Sequence, residues 1–158
     1  MTFNHLVLIG GGHTNVLLMK KWQMCPKLMP DIPVSIISRD SHLVYSAMFP
    51  SVLSKSISLE ESLIDIKSLA NNAKVSFLEE EVKDIDFNLK KIVLSNRPSV
   101  NYSKLVLNYG SETIIPKEFE SLVKNRNAFS IKPFLRAYDS ILKAVSYTHL
   151  TLPTSQYV

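Results

Sequence analysis

Three consecutive glycines, Gly10-Gly11-Gly12, followed by His13-Thr14-Asn15, are the residues whose types and spacing point most directly to chemistry. They fit the pattern G-x-G-x-x-G except at its last position, where Asn15 stands. The first glycine of such a loop permits a sharp strand-to-helix turn, and the second lets backbone approach a pyrophosphate with no Cβ in the way. Gly10 and Gly12 are expected to take these two parts. The phosphates would rest on bare amide groups at the helix amino terminus, where the macrodipole favours negative charge. The third glycine normally allows close packing of helix on strand, so Asn15 obliges the helix to stand further off or to tuck the side chain aside.

The second expected contact is a group at the end of the next strand that binds an adenosine ribose. An acidic residue usually serves. Here Ser38 occupies the place, followed by Arg39, with Asp40 two residues late. A serine hydroxyl can hydrogen-bond a ribose without charge assistance, and Arg39 can pair with phosphate or lie along an adenine. Other candidates carry less. His5, His13 and His42 match no metal-ligand spacing. The run Glu79-Glu80-Glu81 reads as a solvated strand end, and Trp22 as packing of helix on sheet. Cys25 is the only cysteine, which excludes an internal disulfide, a CxxC pair and a cysteine-based zinc site; a lone cysteine is expected to be a small buried apolar residue.

These residues need elements to hold them. Leu6 to Ile9 is a short apolar run closed by the glycines, as in a strand buried on both faces. From His13 to Met24 apolar residues recur at helical spacing until Pro26, and Val34 to Ile37 makes a second apolar strand. The unit is β-α-β, the arrangement that gives a glycine motif its meaning. An irregular stretch from Ser38 to Ser56 follows. A capping box, Ser58 with Glu61, is then expected to open a helix carrying Leu59, Leu63, Ile66 and Leu69 on one side. Val75 to Leu78 is a third parallel strand, and three short strands follow at Val82 to Ile85, Lys91 to Leu94 and Lys104 to Leu107. Pro133 introduces a helix with Phe134, Leu135, Tyr138, Ile141 and Leu142 on one face. The predicted class is α/β: a Rossmann-like parallel sheet with a small antiparallel β insertion, incomplete at its carboxyl end.

Composition sets the bounds. With 158 residues, 46% of them hydrophobic, the chain can bury one core of ordinary size. Its net charge of +4 is scattered, without the basic stripe that nucleic-acid binding usually shows. No run approaches the roughly 20 apolar residues of a membrane span. A cytoplasmic protein, at most peripheral to a membrane, is expected. The last segment is different in kind: a DNA reading GTC TCT TAT ACA CAT CTG ACG CTG CCG ACG would encode Val145 to Thr154 codon by codon, and that DNA resembles a transposon-type sequencing adapter read in frame. We therefore take 1–144 as native sequence, the amino-terminal part of a dinucleotide-binding domain, and 145–158 as a non-native tail.

The segments HLVLIGGGHTNVLLMKKW, VSIISRDSHLVYSAMFP, EEEVKDID and YSKLVLNYGS followed by SIKPF together resemble the FAD-dependent pyridine nucleotide-disulfide oxidoreductase family. Within it the sequence is most similar to the NADH dehydrogenase-like flavoprotein found fused ahead of selenide, water dikinase. The resemblance implies FAD as cofactor and NAD(P)H as substrate through a domain that follows. It places Gly10, Gly11, Gly12, His13 and Thr14 around the FAD pyrophosphate and Ser38 and Arg39 against the adenosine. Met48 and Pro50 would lie beside the ribityl chain or flavin, and the Val82 backbone against the adenine edge. The turn Asn108-Tyr109-Gly110-Ser111 would close on the phosphates. It also implies hydride transfer to flavin and onward to a small-molecule acceptor such as a quinone, with no catalytic side chain in this segment. A homodimer or a fused kinase domain would belong to the full-length protein. Two other readings stay open: a module that holds FAD or another nucleotide without turnover, and a dehydrogenase whose glycine loop binds NAD directly. The Ser-Arg end of the second strand and the later Gly110 turn favour FAD over NAD.

Overall fold

A computed structural model describes residues 4–110, 114–125, 132 and 134–148. The chain divides into two compact units, one of residues 1–43 and 63–110 and the other of 44–62 and 111–158.

In the first unit a four-stranded parallel sheet is built from β1 (Leu6–Ile9), β2 (Val34–Ser38), β5 (Ser76–Glu79) and β9 (Lys104–Leu107), in the order β5-β2-β1-β9. The interior position of β1 follows from its composition. Val7 and Leu8 are wholly buried, as a strand must be when its neighbours occupy both edges and helix and sheet cover both faces. Leu6 pairs with Val34 on one side and with Lys104 on the other. The crossover from β1 to β2 is α1 (His13–Met24), which lays Val16, Met19 and Trp22 onto Leu8, Val34 and Ile36. Cys25 ends this helix and is exposed, not buried as its type suggested: the residue falls where the chain turns outward into Pro26.

Two further elements complete the unit. The opposite face of β1 and β2, carrying Val7, Ile9 and Ile37, packs on Ile92, Leu94 and Tyr102. These come from the three-stranded antiparallel sheet β6-β7-β8 (Val82–Asp86, Lys91–Leu94, Val100–Asn101) and the residue after it. This is the antiparallel insertion that the sequence predicted, with β8 as an added strand. Between β2 and β5 the stretch expected to be irregular holds β3 (His42–Val44), a 3-10 turn at Ser46–Met48 and α2 (Phe49–Leu53). The capping box does form: the Ser58 amide donates to Glu61 Oε2 at 2.7 Å and the Glu61 amide to Ser58 Oγ at 3.3 Å. Yet it opens only the 3-10 turn Glu60–Ser62, which passes into β4 (Leu63–Asp65), paired with β3 as a short ribbon. The helix begins later, as α3 (Ile66–Asn72), because Asp65 supplies a second cap.

The second unit contains α2, α4 (Glu120–Lys124) and α5 (Phe134–Thr148). Phe49 is buried, with its ring 4.5 Å from that of Phe134; on α5 Ile141 of the predicted face is buried together with Ala137, which was not assigned to it, while Leu135 of that face is exposed. α5 continues through Val145 to Thr148, the start of the segment read as a tail. Pro133, Ser111 and 149–158 lie outside the described residues.

Asn15 shows how α1 tolerates the missing third glycine. Its side chain is fully buried beneath the loop, and Nδ2 donates to the carbonyls of Gly10 (2.8 Å) and Ile9 (3.3 Å). Gly10 has φ +88, a conformation that side-chain-bearing residues rarely adopt, and a Cβ there would run into the backbone of Asn108 and Tyr109. In chemical denaturation, Gly10→Ala is therefore expected to lower stability by ~2–4 kcal/mol, through strain and overlap together. Asn15→Ala should lower it by ~1–3 kcal/mol through the two abandoned carbonyls.

Asp65 Oδ2 accepts from the Ser68 hydroxyl (2.6 Å) and Oδ1 from the Ser68 amide (2.8 Å). The hydroxyl bond first, then the amide, hold this carboxyl below its usual value of 3.8. Because the folded-state value lies below the unfolded one, the cap's contribution is present above the unfolded value and is lost as pH falls through the folded one. A carbon-detected NMR titration should find Asp65 titrating below 3.8, with α3 losing amide protection in that same window. Titration at or above the usual value would contradict the cap.

Candidate nucleotide site

Strand β1 ends at Ile9, and the loop Gly10–Gly12 leads straight into α1. Its neighbour β9 ends at Leu107 and turns at Asn108–Gly110. The two turns meet at the carboxyl ends of adjacent parallel strands. The chain leaves β1 toward β2 on one side and returns as β9 on the other, so this is the point at which strand order reverses. In open α/β sheets ligands bind in the crevice at such a switch point.

The geometry there is dominated by Asn108. Its amide donates to the Ile9 carbonyl at 2.8 Å, and its carbonyl accepts from the Gly12 amide at 3.1 Å. Its side-chain oxygen Oδ1 accepts from the Thr14 amide at 3.0 Å and the Asn15 amide at 3.4 Å. Gly12 is the N-cap of α1 and offers no side-chain oxygen, and no acidic residue lies in the first turn. Asn108 thus caps the helix from 94 residues further along the chain.

Two sequence expectations are corrected by this arrangement. The amides of the opening turn are not bare, since those of Gly12, Thr14 and Asn15 all donate to Asn108. Gly10 and Gly12, moreover, are required by protein contacts, since a Cβ on either would meet the backbone of the Asn108 turn. A Cβ on Gly12 would collide with the Asn108 side chain and carbonyl, and one on Gly11 would collide with Ile66 Cδ1 and come within 3.2 Å of Ser38 Oγ. The absence of side chains in the loop therefore serves its close fit to β9 and α3. The sequence held no direct sign of this: a glycine motif reads the same whether the nearby group is a phosphate or an asparagine.

The other proposed contacts fall in several places. Ser38, at the end of β2, is buried, and its hydroxyl donates to the Asp40 carbonyl at 2.8 Å. Its proton is thus committed, so that toward any further partner the oxygen acts as an acceptor. Arg39 is exposed, with Nε 3.5 Å from Asp40 Oδ2. Val82 begins β6, and its position in the strand pairs with Leu94. Gly110, at φ +78, has open space where a Cβ would stand. Met48 is half-buried and Pro50 exposed, both in the second unit, where Met48 closes a 3-10 turn and Pro50 is the second residue of α2.

Glu80 is not the solvated residue that its run suggested. It is buried, accepting from the Glu81 amide (3.0 Å) and Asn96 Nδ2 (3.1 Å), with Arg97 Nε 3.9 Å away. It ties β5 to the antiparallel insertion. The His5 ring lies between Ser35 Oγ (2.9 Å) and the Asn101 carbonyl (3.1 Å). Among the described residues there is no group of three His, Cys, Asp or Glu side chains able to hold a metal ion, and no helix long and apolar enough to cross a membrane.

The donor set fits a dinucleotide diphosphate in kind: a helix amino terminus at a switch point, flanked by backbone rather than side chains on the glycine side. One group, the Asn108 side chain, stands on two of the donors.

No protein-family model matches the sequence, and no curated protein sequence matches it significantly. Solved structures do match. The chain is similar to sulfide:quinone oxidoreductase from the hyperthermophilic bacterium Aquifex aeolicus (TM-score 0.76, 21% identity, 94% of this chain and 33% of that one). It is also similar to putidaredoxin reductase in its covalent complex with putidaredoxin (TM-score 0.63, 14% identity, 90% and 34%). A third likeness is to NDH2 from Plasmodium falciparum in complex with NADH (TM-score 0.56, 20% identity, 71% and 23%). The chain therefore spans about a third or less of the length of each of these structures. At these identities the likeness is one of fold, and the fold is the Rossmann-like α/β arrangement of these redox proteins.

Proposed function

We propose that this chain is the FAD-binding part of an NAD(P)H-dependent flavoprotein oxidoreductase. One observation carries the proposal: the glycine loop after β1 and the turn after β9 lie hydrogen-bonded side by side at the switch point of the parallel sheet. A nucleotide-type crossover needs the first turn alone. The second turn, foreseen from the Gly110 segment, supports FAD over a directly bound NAD. The solved structures of like fold support the redox class, since those named are oxidoreductases or reductases or were solved with NADH.

In this reading the Gly12-His13-Thr14 turn, with Gly10, Gly11, Gly110 and the main chain of Asn108 around it, holds the diphosphate. Ser38 Oγ accepts from the adenosine ribose, Arg39 lies toward the adenosine phosphate, and the Val82 backbone meets the adenine edge. Met48 and Pro50 are assigned to the flavin side by the family resemblance alone. Hydride acceptance from NAD(P)H is the chemistry that FAD supplies when bound, and this chain's part is to bind and orient. We extend the reading to a small-molecule acceptor such as a quinone, to kinship with the flavoprotein that precedes selenide, water dikinase, and to a cytoplasmic site of action. The NAD(P)H-binding half belongs to sequence beyond this segment.

The test is an absorbance spectrum of protein expressed with its native continuation. Flavin bands that bleach on addition of NADH or NADPH are expected. Flavin bands that do not bleach would favour a module that holds FAD without turnover, and protein that stays colourless after refolding with excess FAD would contradict the proposal.

A further inference from the structure

The contact between Asn108 and the opening turn of α1 has the form of an anion site already filled. Oδ1 accepts from two successive amides, those of Thr14 and Asn15, in the way that a bound phosphate oxygen would. Resting on the nucleotide-binding reading for its ligand, though not for the contact itself, the geometry points to a placeholder: we propose that the Asn108 side chain occupies the phosphate position, and that a dinucleotide diphosphate binds there by turning this amide away.

Two features support a displaceable contact. First, the asparagine oxygen is neutral, so it satisfies the two amides without answering the positive end of the helix dipole. A phosphate oxygen on the same donors makes charge-assisted bonds, which are roughly twice as strong. Second, the main chain of Asn108 is held independently of its side chain, through its amide to Ile9 and its carbonyl from Gly12. The side chain is therefore able to rotate while the seam between loop and β9 stays closed. Asparagine rather than aspartate is then meaningful. A carboxylate would cap α1 more strongly and would also repel the diphosphate.

The experiment uses the 158-residue chain and two substitutions, Asn108→Ala and Asn108→Asp, with circular dichroism to establish that each folds. Amide hydrogen exchange without nucleotide reads the contact, and calorimetric titration with ADP and with FAD reads the displacement. Asn108→Ala is expected to speed exchange at Thr14 and Asn15 by about five- to tenfold, the effect of losing a helix cap, and to tighten ADP and FAD binding by a similar factor. Asn108→Asp should slow exchange at those amides and weaken both ligands by at least about tenfold. If Asn108→Ala fails to fold, the Asp variant decides alone, because a placeholder requires opposite signs for cap strength and ligand affinity. Weaker nucleotide binding in Asn108→Ala overturns the proposal, since it would make the amide part of the phosphate cradle. Unchanged exchange in a folded variant overturns it too, while wild-type affinity for FAD still supports the nucleotide reading. Absence of binding by every variant, with exchange responding as expected, overturns both the displacement and that reading, and leaves Asn108 a structural cap.

Discussion

The first unit depends on a hydrogen-bonded seam between the loop that ends β1 and the turn that ends β9. Asn108 stitches it with backbone to Ile9 and Gly12 and with its side chain to Thr14 and Asn15. The seam explains why the loop is made of glycine. At Gly10 a positive φ and at Gly12 the nearness of Asn108 leave no room for a Cβ, and without that approach α1 could not start directly above the end of β1. The crossover starts from where this turn sends the chain, and α1 then covers one face of the sheet while the antiparallel insertion covers the other.

The seam also lies where the sheet changes direction, which ties its structural role to any ligand that the fold holds. Backbone amides gathered at a helix start are obligatory donors, so something must accept from them. In this arrangement an asparagine does. A neutral internal acceptor keeps the turn preformed without spending the helix's preference for negative charge, and this reconciles a loop that is closed by protein contacts with one suited to a diphosphate.

Much of this was legible in the residues. The apolar run Leu6 to Ile9, the glycines and the helical spacing from His13 to Met24 specified the crossover because each obeys a local rule, and β7 and β9 were found at their observed bounds. The capping box at Ser58 and Glu61 was read correctly as a pair of hydrogen bonds and wrongly as the start of a long helix: local side-chain chemistry announces a turn, but the Asp65 cap and the pairing of β4 with β3 decide how far it runs. Burial of Glu80 and exposure of Cys25 were missed because both depend on partners or chain direction distant in sequence. Asn108 as a cap was missed for the same reason, since a contact across 94 positions leaves no local pattern. Asn15, in contrast, was foreseen as either pushing the helix away or folding aside, and it folds aside.

The central claim is that the Gly12–Asn15 turn is where a dinucleotide diphosphate is held. Its most direct test is an amide NMR titration of the chain with ADP and with FAD. Saturable shifts confined to Gly12, His13, Thr14 and Asn15, with the Asn108 side-chain amide shifting in step, are the expected result. Shifts clustered elsewhere, or none at ligand concentrations well above the protein's, would contradict the claim.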